Sequence, residues 1–294
     1  MMACFSHVRN NMVLVCGIHG SGKTVFSRRL SYQKEIPYYS ASQLIDKAFP
    51  LNQRQSKNID NIAHRQIFLL NEINELNKYN DNYILDGHLC VVDQFDHIIK
   101  VSINVLLAMH ITEIIVMIAD PLLICERLKN RDKVIYDKGF IEKYQDEELS
   151  YAKYLSKVLN IDLHIVHSDN LNQNSILLSI KPIYAKLILD GTKKFEYRKR
   201  ICKKQIERII MYESYPTKKV VGEVQVVSKM SIDKKELWNL TKENAGINKD
   251  TFMEYFKNSN IACAYQLGHV IRYPEGISLE ELGVSKAPQS FIYL

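Results

Sequence analysis

Little in the sequence would make it a metal-stapled, secreted or membrane-embedded chain. The six cysteines, Cys4, Cys16, Cys90, Cys125, Cys202 and Cys263, never form a Cys-x-x-Cys pair, which argues against a zinc ribbon. In a chain of this length the expectation is reduced, mostly buried thiols in a cytosolic protein. The longest apolar run, residues 114–119, falls far short of the roughly 20 residues that a membrane span needs, so no membrane partner is expected. The apolar stretch at 12–16 is too short for the core of a signal peptide and runs straight into glycines, so the expected location is cytoplasmic. There is no internal repeat and no low-complexity tract. Charge of one sign is also scarce. Thirty-nine basic residues against 33 acidic ones leave +6, enough to allow a polyanionic partner without requiring one.

What is present is an ordinary globular composition: 46% apolar and 24% charged in 294 residues, a length that suits two domains. The first part alternates. Strands are predicted over 12–16, 36–39, 83–85, 112–118 and 163–167, and helices over 23–32, 42–48, 61–77, 121–131 and 140–159. Apolar strands alternating with helices predict an α/β domain whose parallel sheet is covered on both faces. A polar stretch rich in Asn, Asp and Ser follows, and the alternation then stops. Strands are predicted over 176–180, 195–198, 206–212, 220–227 and 262–273. Helices over 182–189, 233–240 and 250–256 complete an α+β or small-barrel pattern. The expected division is a first domain over 1–170, a linker over 171–175 and a second domain over 176–294.

The strongest motif is Gly17-Ile18-His19-Gly20-Ser21-Gly22-Lys23-Thr24, which has P-loop spacing between a predicted strand and a predicted helix. Its glycines let successive backbone N–H groups turn inward around a phosphate, and the helix that follows points its positive end at the same anion. In this arrangement Gly17, His19, Gly20, Ser21, Gly22, Lys23 and Thr24 form the phosphate cradle. Lys23 reaches the β- and γ-phosphates of ATP, and Thr24 gives its hydroxyl oxygen to Mg²⁺.

A P-loop enzyme also needs an acid at the end of a second strand. Asp86, closing Tyr83-Ile84-Leu85, supplies it, either as a holder of Mg²⁺ or as a base for an acceptor. His88 is expected to line the acceptor side, as is Ser40 after the second strand. Arg127 and Arg131 share one face of the helix over 121–131. They are the candidates for lid arginines that neutralise charge in the transition state.

With these residues in place, the first 170 positions resemble the adenylate-kinase-like, nucleoside monophosphate kinase class of P-loop kinases. The archaeal-type adenylate kinases are the nearest in kind. The Asp-x-His sequence at Asp86, Gly87 and His88 resembles theirs, as do the arginine-bearing lid and Gln145 on the helix after it. The resemblance implies ATP and Mg²⁺ as cofactors. Two features depart from the pattern. The lid between Arg131 and Phe140 is short, and the acceptor segment offers only Arg54, with Arg65 just beyond, to hold an acceptor phosphate.

The second domain carries Leu178-Ser179-Ile180-Lys181-Pro182 and then Gly191-Thr192-Lys193-Lys194-Phe195-Glu196-Tyr197-Arg198. It resembles the ASCH domain, a relative of the PUA RNA-binding fold, with Gly191, Lys193, Glu196 and Arg198 at the positions of that family's signature. Val221-Gly222-Glu223-Val224 and Ala287-Pro288-Gln289-Ser290-Phe291 extend the likeness. The implied fold is an α+β, PUA-like β-barrel. Between Lys181 and Arg208 ten basic residues stand against three acidic ones, so the basic charge is concentrated here. Lys181, Lys193, Glu196 and Arg198 are the candidate RNA- or nucleotide-binding residues, with Tyr197, Tyr212 and Tyr215 as stacking candidates. Some ASCH-type proteins are deacylases with a threonine three residues after the lysine. Glu196 stands there instead, which argues against that reaction.

The leading expectation is an ATP-dependent phosphotransferase acting on a nucleoside, nucleotide or nucleic acid, coupled to a domain that binds RNA or a modified nucleotide. One alternative is an RNA-binding regulator whose ATPase is a switch. Another is an ASCH-domain hydrolase, ribonuclease or deacylase, under ATP control.

Overall fold

The computed structural model describes residues 11–48, 59–171 and 174–294. The chain divides between Asp169 and Asn170 into two compact units.

The first unit is built on a five-stranded, all-parallel sheet of β1 (Asn11–Cys16), β2 (Tyr38–Ser40), β3 (Asn82–Asp86), β6 (Ile111–Ile118) and β7 (Asp162–His167). The order across the sheet is β2-β3-β1-β6-β7. β1 is buried along almost its whole length, as its unbroken apolar run requires of a strand covered on both faces. From β1 the chain goes outward to β2, returns to β3, and then crosses to β6. The reversal therefore falls at β1, and the C-terminal ends of β1 and β3 open on the crevice where α/β sheets bind ligands.

The helices begin where local chemistry dictates. α1 (Lys23–Lys34) starts at Gly22, whose φ of 91° only glycine adopts without strain. α5 (Pro121–Asp132) has Asp120 as its N-cap, accepting from Leu122 N at 2.7 Å, and Pro121 in its first turn. α6 (Lys138–Leu159) is capped by Asp137, which accepts from Phe140 N at 2.8 Å. Two further helices, α2 (Ala41–Ala48) and α3 (Ile59–Leu76), stand between β2 and β3 in the chain. The acceptor-segment residue Arg54 lies outside the described residues.

The sequence did not predict the hairpin of β4 (Cys90–Val92) and β5 (Ile98–Lys100), nor the short α4 (Ile103–Ala108) that follows it. Three-residue strands are too short to show a period. The turn between them is made by side-chain chemistry: Oδ1 of Asp93 accepts from the backbone N–H of Phe95 (2.8 Å) and His97 (2.9 Å).

At the expected linker, α7 (Ser168–Leu171) adds one helical turn, and β8 opens at Ser175. The second unit is a six-stranded mixed sheet of β8 (Ser175–Ile180), β9 (Phe195–Arg198), β10 (Arg208–Glu213), β11 (Lys219–Asp233), β12 (Ile261–Ile277) and β13 (Phe291–Tyr293). The order is β13-β8-β10-β11-β12-β9, with β8 and β10 parallel. β11 and β12 run longer than predicted, because register shifts between Val220 and Gly222 and between Val224 and Ser228 let them bend without ending.

Alternating side chains of β12 feed two cores. Tyr265 and Leu267 join the cluster under α8 (Pro182–Leu189). Ala262 and Ala264 face Leu237, Trp238, Phe252 and Phe256 of α9 (Lys234–Thr241) and α10 (Lys249–Tyr255) with its C-cap. Tyr197 and Tyr212 are 6% and 7% exposed. Both belong largely to the interior, and Tyr197 also lines a cavity beside Arg198. Tyr215, 77% exposed, is the stacking candidate that faces solvent.

Candidate functional site

The phosphate loop leaves β1 at Gly17. A Cβ there would lie 2.4 Å from the Met117 carbonyl oxygen, and at Gly20 it would press on Ile124 and Leu128 of α5. Gly17, Gly20 and Gly22 all have positive φ. The loop is thus wrapped tightly by β6 and α5, and glycine alone fits its turns. Within it, Ser21 is fully buried and its hydroxyl has no hydrogen-bond partner among the described residues. Lys23 is also buried, its Nζ donating to Ile18 O at 3.0 Å. Burial pulls its pKa down, while Asp86 and Glu148 push the other way. The chemistry is that of an anion cradle: a buried ammonium and a spare hydroxyl at a helix N-terminus.

Asp86 closes β3 beside this loop. Its Oδ2 accepts from the Thr24 hydroxyl at 2.9 Å and from the Tyr38 hydroxyl at 3.2 Å. Burial pushes the carboxyl up, and Lys23, Thr24 and Tyr38 oppose that shift. A hydroxyl and a carboxylate oxygen converging next to a phosphate cradle suit a hard cation that keeps most of its coordination for water and phosphate, as Mg²⁺ does.

The histidines come together. The rings of His19 and His88 are 4.2 Å apart between centroids, tilted by 50°. His88 Nδ1 is buried without a partner among the described residues. Burial, then Lys23 and His19, hold its pKa well below the usual imidazole range, so it is neutral at pH 7. Both line a cavity of about 330 Å³ closed by α2, α3, the β4–β5 hairpin and α4. Its walls are mostly apolar, with Ser42, Arg65 and Gln66 as polar points. Ser40, the expected contact, does not line it. Ser40 bonds to Ser42 at 2.9 Å, and Ser42, two residues further and on α2, faces the cavity. Arg65 lies 3.6 Å from Asp46.

The two arginines of α5 do different things. Arg127 Nη1 donates to Gly20 O (3.0 Å) and Ser168 Oγ (3.1 Å) and is part-buried, so it braces the loop from outside instead of standing in a lid. Arg131 is turned onto the Asp132 carboxylate through Nε (2.5 Å) and Nη2 (2.8 Å). Gln145 clamps both backbone groups of Ala119, at 2.9 and 3.0 Å, and so fixes α6 to the end of β6. Sequence reading missed Glu148 on the same helix, which is 1% exposed and accepts backbone N–H groups from Gly17, Leu89 and Cys90. No local pattern marks it, because its partners lie 58 to 131 residues away.

In the second unit, Lys181, Lys193, Glu196 and Arg198 line one cavity of about 490 Å³, together with Tyr184, Tyr255 and others. Arg198 donates from Nε to Glu196 Oε1 at 3.0 Å and from Nη2 to Ser179 O at 2.6 Å. Lys193 is buried under the Tyr184 and Tyr197 rings, donates to the carbonyls of Phe195 (2.6 Å) and Ala245 (2.9 Å), and stands 3.7 Å from Glu196. Its pKa is lowered by burial, against the pull of Glu196. Lys193 is thus committed to holding the floor together, and Arg198 and Lys181 present positive charge to the space above.

Residues 13–149 match the AAA domain family and residues 178–275 match the ASCH domain family. An ATP synthase subunit alpha of Ureaplasma parvum is 26% identical over 123 residues, 42% of this chain and 15% of that protein. The chain thus spans only a small part of that relative, and about half the length of the next curated relatives it matches. An ASCH domain-containing ribonuclease of Zymomonas mobilis is 29% identical over 129 residues, 42% of this chain and 86% of that one. Among solved structures, deoxyadenosine kinase from M. mycoides with bound dATP shares 15% identity, with 54% of this chain and 91% of that one covered and a TM-score of 0.36. With the loop, its acid and the signature cavity each located, the chain joins a P-loop region that matches the AAA domain family over residues 13–149 to a region that matches the ASCH domain family over residues 178–275.

Proposed function

We propose that the first unit is an ATP-dependent phosphotransferase for a nucleoside, nucleotide or nucleic-acid acceptor, and that the ASCH domain binds RNA or a modified nucleotide. The observation that carries the first half is the convergence of Lys23, the Thr24–Asp86 pair and the His19–His88 pair at one end of the sheet, beside a cavity large enough for a nucleoside-sized acceptor. Loop N–H groups and Lys23 would bind the β- and γ-phosphates of ATP. Thr24 and Asp86 would hold Mg²⁺, which supplies charge neutralisation to the transferring phosphoryl group. The apolar cavity excludes water from the acceptor, and neutral His88 offers it a hydrogen bond. Arg131 would leave Asp132 to meet the charge that develops.

The test is a screen of radiolabelled ATP against nucleosides, nucleoside monophosphates and short RNAs. A labelled product other than free phosphate, absent with Lys23→Ala, supports a kinase. Release of free phosphate alone favours the switch regulator, and turnover that survives Lys23→Ala removes the P-loop from the account.

A second reading is favoured by the Zymomonas relative, an ASCH domain-containing ribonuclease. In this reading Lys181 and Arg198 hold a phosphodiester in the ASCH cavity and Glu196 takes a proton. Cleavage of a short RNA that is lost on Arg198→Ala and kept on Lys23→Ala supports it.

A further inference from the structure

The carboxylate of Glu148 is the meeting point of two segments that belong to different halves of the phosphotransfer site. Oε1 accepts from the backbone N–H of Gly17 (2.9 Å), the first residue of the phosphate loop, and also from that of Leu89 (2.9 Å). Oε2 accepts from Cys90 N (2.6 Å), the first residue of the β4 strand. The next two residues of that strand, Val91 and Val92, line the 330 Å³ cavity. Burial pushes the Glu148 carboxyl up, and the three N–H donors aimed at it, with Lys23, oppose that shift and favour the ionised form. The side chain is buried, so water cannot replace a lost partner.

The helix that carries it has no freedom to follow one segment and abandon the other. Tyr144 donates to Cys90 O at 2.8 Å, Tyr151 to Val101 O at 2.7 Å, and Gln145 grips Ala119. Gly17 is held on its other side by β6, where its Cα has no room even for a methyl group. The carboxylate therefore links the cavity wall at Cys90 directly to Gly17.

Resting on the phosphotransferase reading above, we propose that Glu148 is a positioning residue that couples the phosphate loop to the acceptor wall, so that occupancy at one is felt at the other. It touches neither ATP nor acceptor in this arrangement. Its effect is on the alignment between them, where an error of about 1 Å costs on the order of a hundredfold in rate.

Hydrogen exchange on the full chain tests this. In the wild type, Mg²⁺ with a non-hydrolysable ATP analogue is expected to slow exchange in peptides covering 17–24 and also in those covering 89–92. Glu148→Gln keeps an oxygen for two of the donors but turns an NH₂ toward the third. It is expected to keep the first effect and lose the second, and to lower ATP turnover at least tenfold with KM for ATP within about threefold. Tyr151→Phe, which removes the helix's bond to Val101 of the cavity wall but leaves Glu148 and its three donors in place, is the control for general loosening. It is expected to transmit the protection as the wild type does.

The proposal is overturned if Glu148→Gln still transmits protection to 89–92, or if Tyr151→Phe loses it equally. Without nucleotide, Glu148→Gln is expected to speed exchange at 17–24 and 89–92 together while leaving the β7 strand unchanged, and separate behaviour of the two peptides also overturns it. Absence of any analogue effect on 17–24 in the wild type counts against the nucleotide reading, and the nucleotide-free comparison then still decides the role of Glu148.

Discussion

The Thr24 hydroxyl donates to Oδ2 of Asp86 at 2.9 Å, a bond that ties the first turn of α1 to the end of β3 across 62 residues of sequence. The pair brings a hydroxyl and a carboxyl oxygen to the edge of the phosphate cradle. Asp86→Asn keeps the shape and removes the charge. We expect ATP turnover to fall by about 10²-fold, with the Mg²⁺ concentration for half-maximal rate raised at least tenfold. A magnesium titration of turnover measures both, and an unchanged magnesium requirement would move Asp86 out of the metal's reach.

Arg127 and Arg131 share a helical face but differ in what they hold, and their variants separate the two roles. Arg127 supports Gly20 through its carbonyl, so Arg127→Ala is expected to weaken ATP binding by about 10- to 100-fold, the loss of a charged hydrogen bond of about 1.5–3 kcal/mol. Arg131→Ala is expected to leave ATP binding nearly unchanged and to lower kcat by about 10²–10³-fold. Equilibrium binding and steady-state kinetics on both variants provide the comparison. A kcat effect confined to Arg127 would reverse the assignment.

Glu196 lies between two cations, Lys193 at 3.7 Å and Arg198 at 3.0 Å, with its side chain 6% exposed. Removing it leaves buried positive charge uncompensated, so Glu196→Ala is expected to cost about 3–5 kcal/mol in the stability of the ASCH domain. Glu196→Gln, which still accepts from Arg198, is expected to cost less. Denaturant unfolding followed at Trp238, the chain's one tryptophan, reads this domain alone.

The Asp93 turn supplies a pH dependence. Burial alone would push its carboxyl up, but the N–H groups of His97 and Phe95 and the His97 ring hold it below the ordinary value of 3.8. A carboxyl depressed in the folded state adds stability above its unfolded pKa, and that stability is lost as pH falls through the folded pKa. The difference in melting temperature between the wild type and Asp93→Asn is therefore expected to shrink as pH falls below about 4. A difference that stayed constant down to pH 3 would show that the turn does not depend on the charge.

Tyr215 is a strongly exposed aromatic side chain of the basic domain, with Lys218 over its ring. Tyr215→Ala is expected to weaken binding of a short single-stranded RNA by about 5- to 100-fold, the worth of one stacked base at about 1–3 kcal/mol, with the melting temperature unchanged. Fluorescence anisotropy with labelled RNA checks it. Equal binding by the variant would remove stacking at this tip from the RNA-binding account.

The sequence by itself determined what is local. Gly17 to Thr24 encode their own backbone shape, because positive φ at three glycines and a helix start are properties of eight neighbouring residues. The acid after Tyr83-Ile84-Leu85 and the capping by Asp120-Pro121 are legible for the same reason. So is the placing of Glu196 and Arg198 on one face of a strand, which follows from its period of two.

Tertiary structure decided everything that depends on residues far apart in the chain. It made Arg127 a brace, because α5 packs on Gly20. It buried Tyr197, because α9 and α10 cover one face of the sheet. It passed one wall of the 330 Å³ cavity to a hairpin whose strands are too short to show a pattern. It also brought Glu148 to Gly17, 131 residues away, where only the packing of α6 against the strand ends could place a carboxylate. A buried charge of that kind has no sequence signature. Its meaning lies in the three donors that surround it, and those donors meet only in the folded chain.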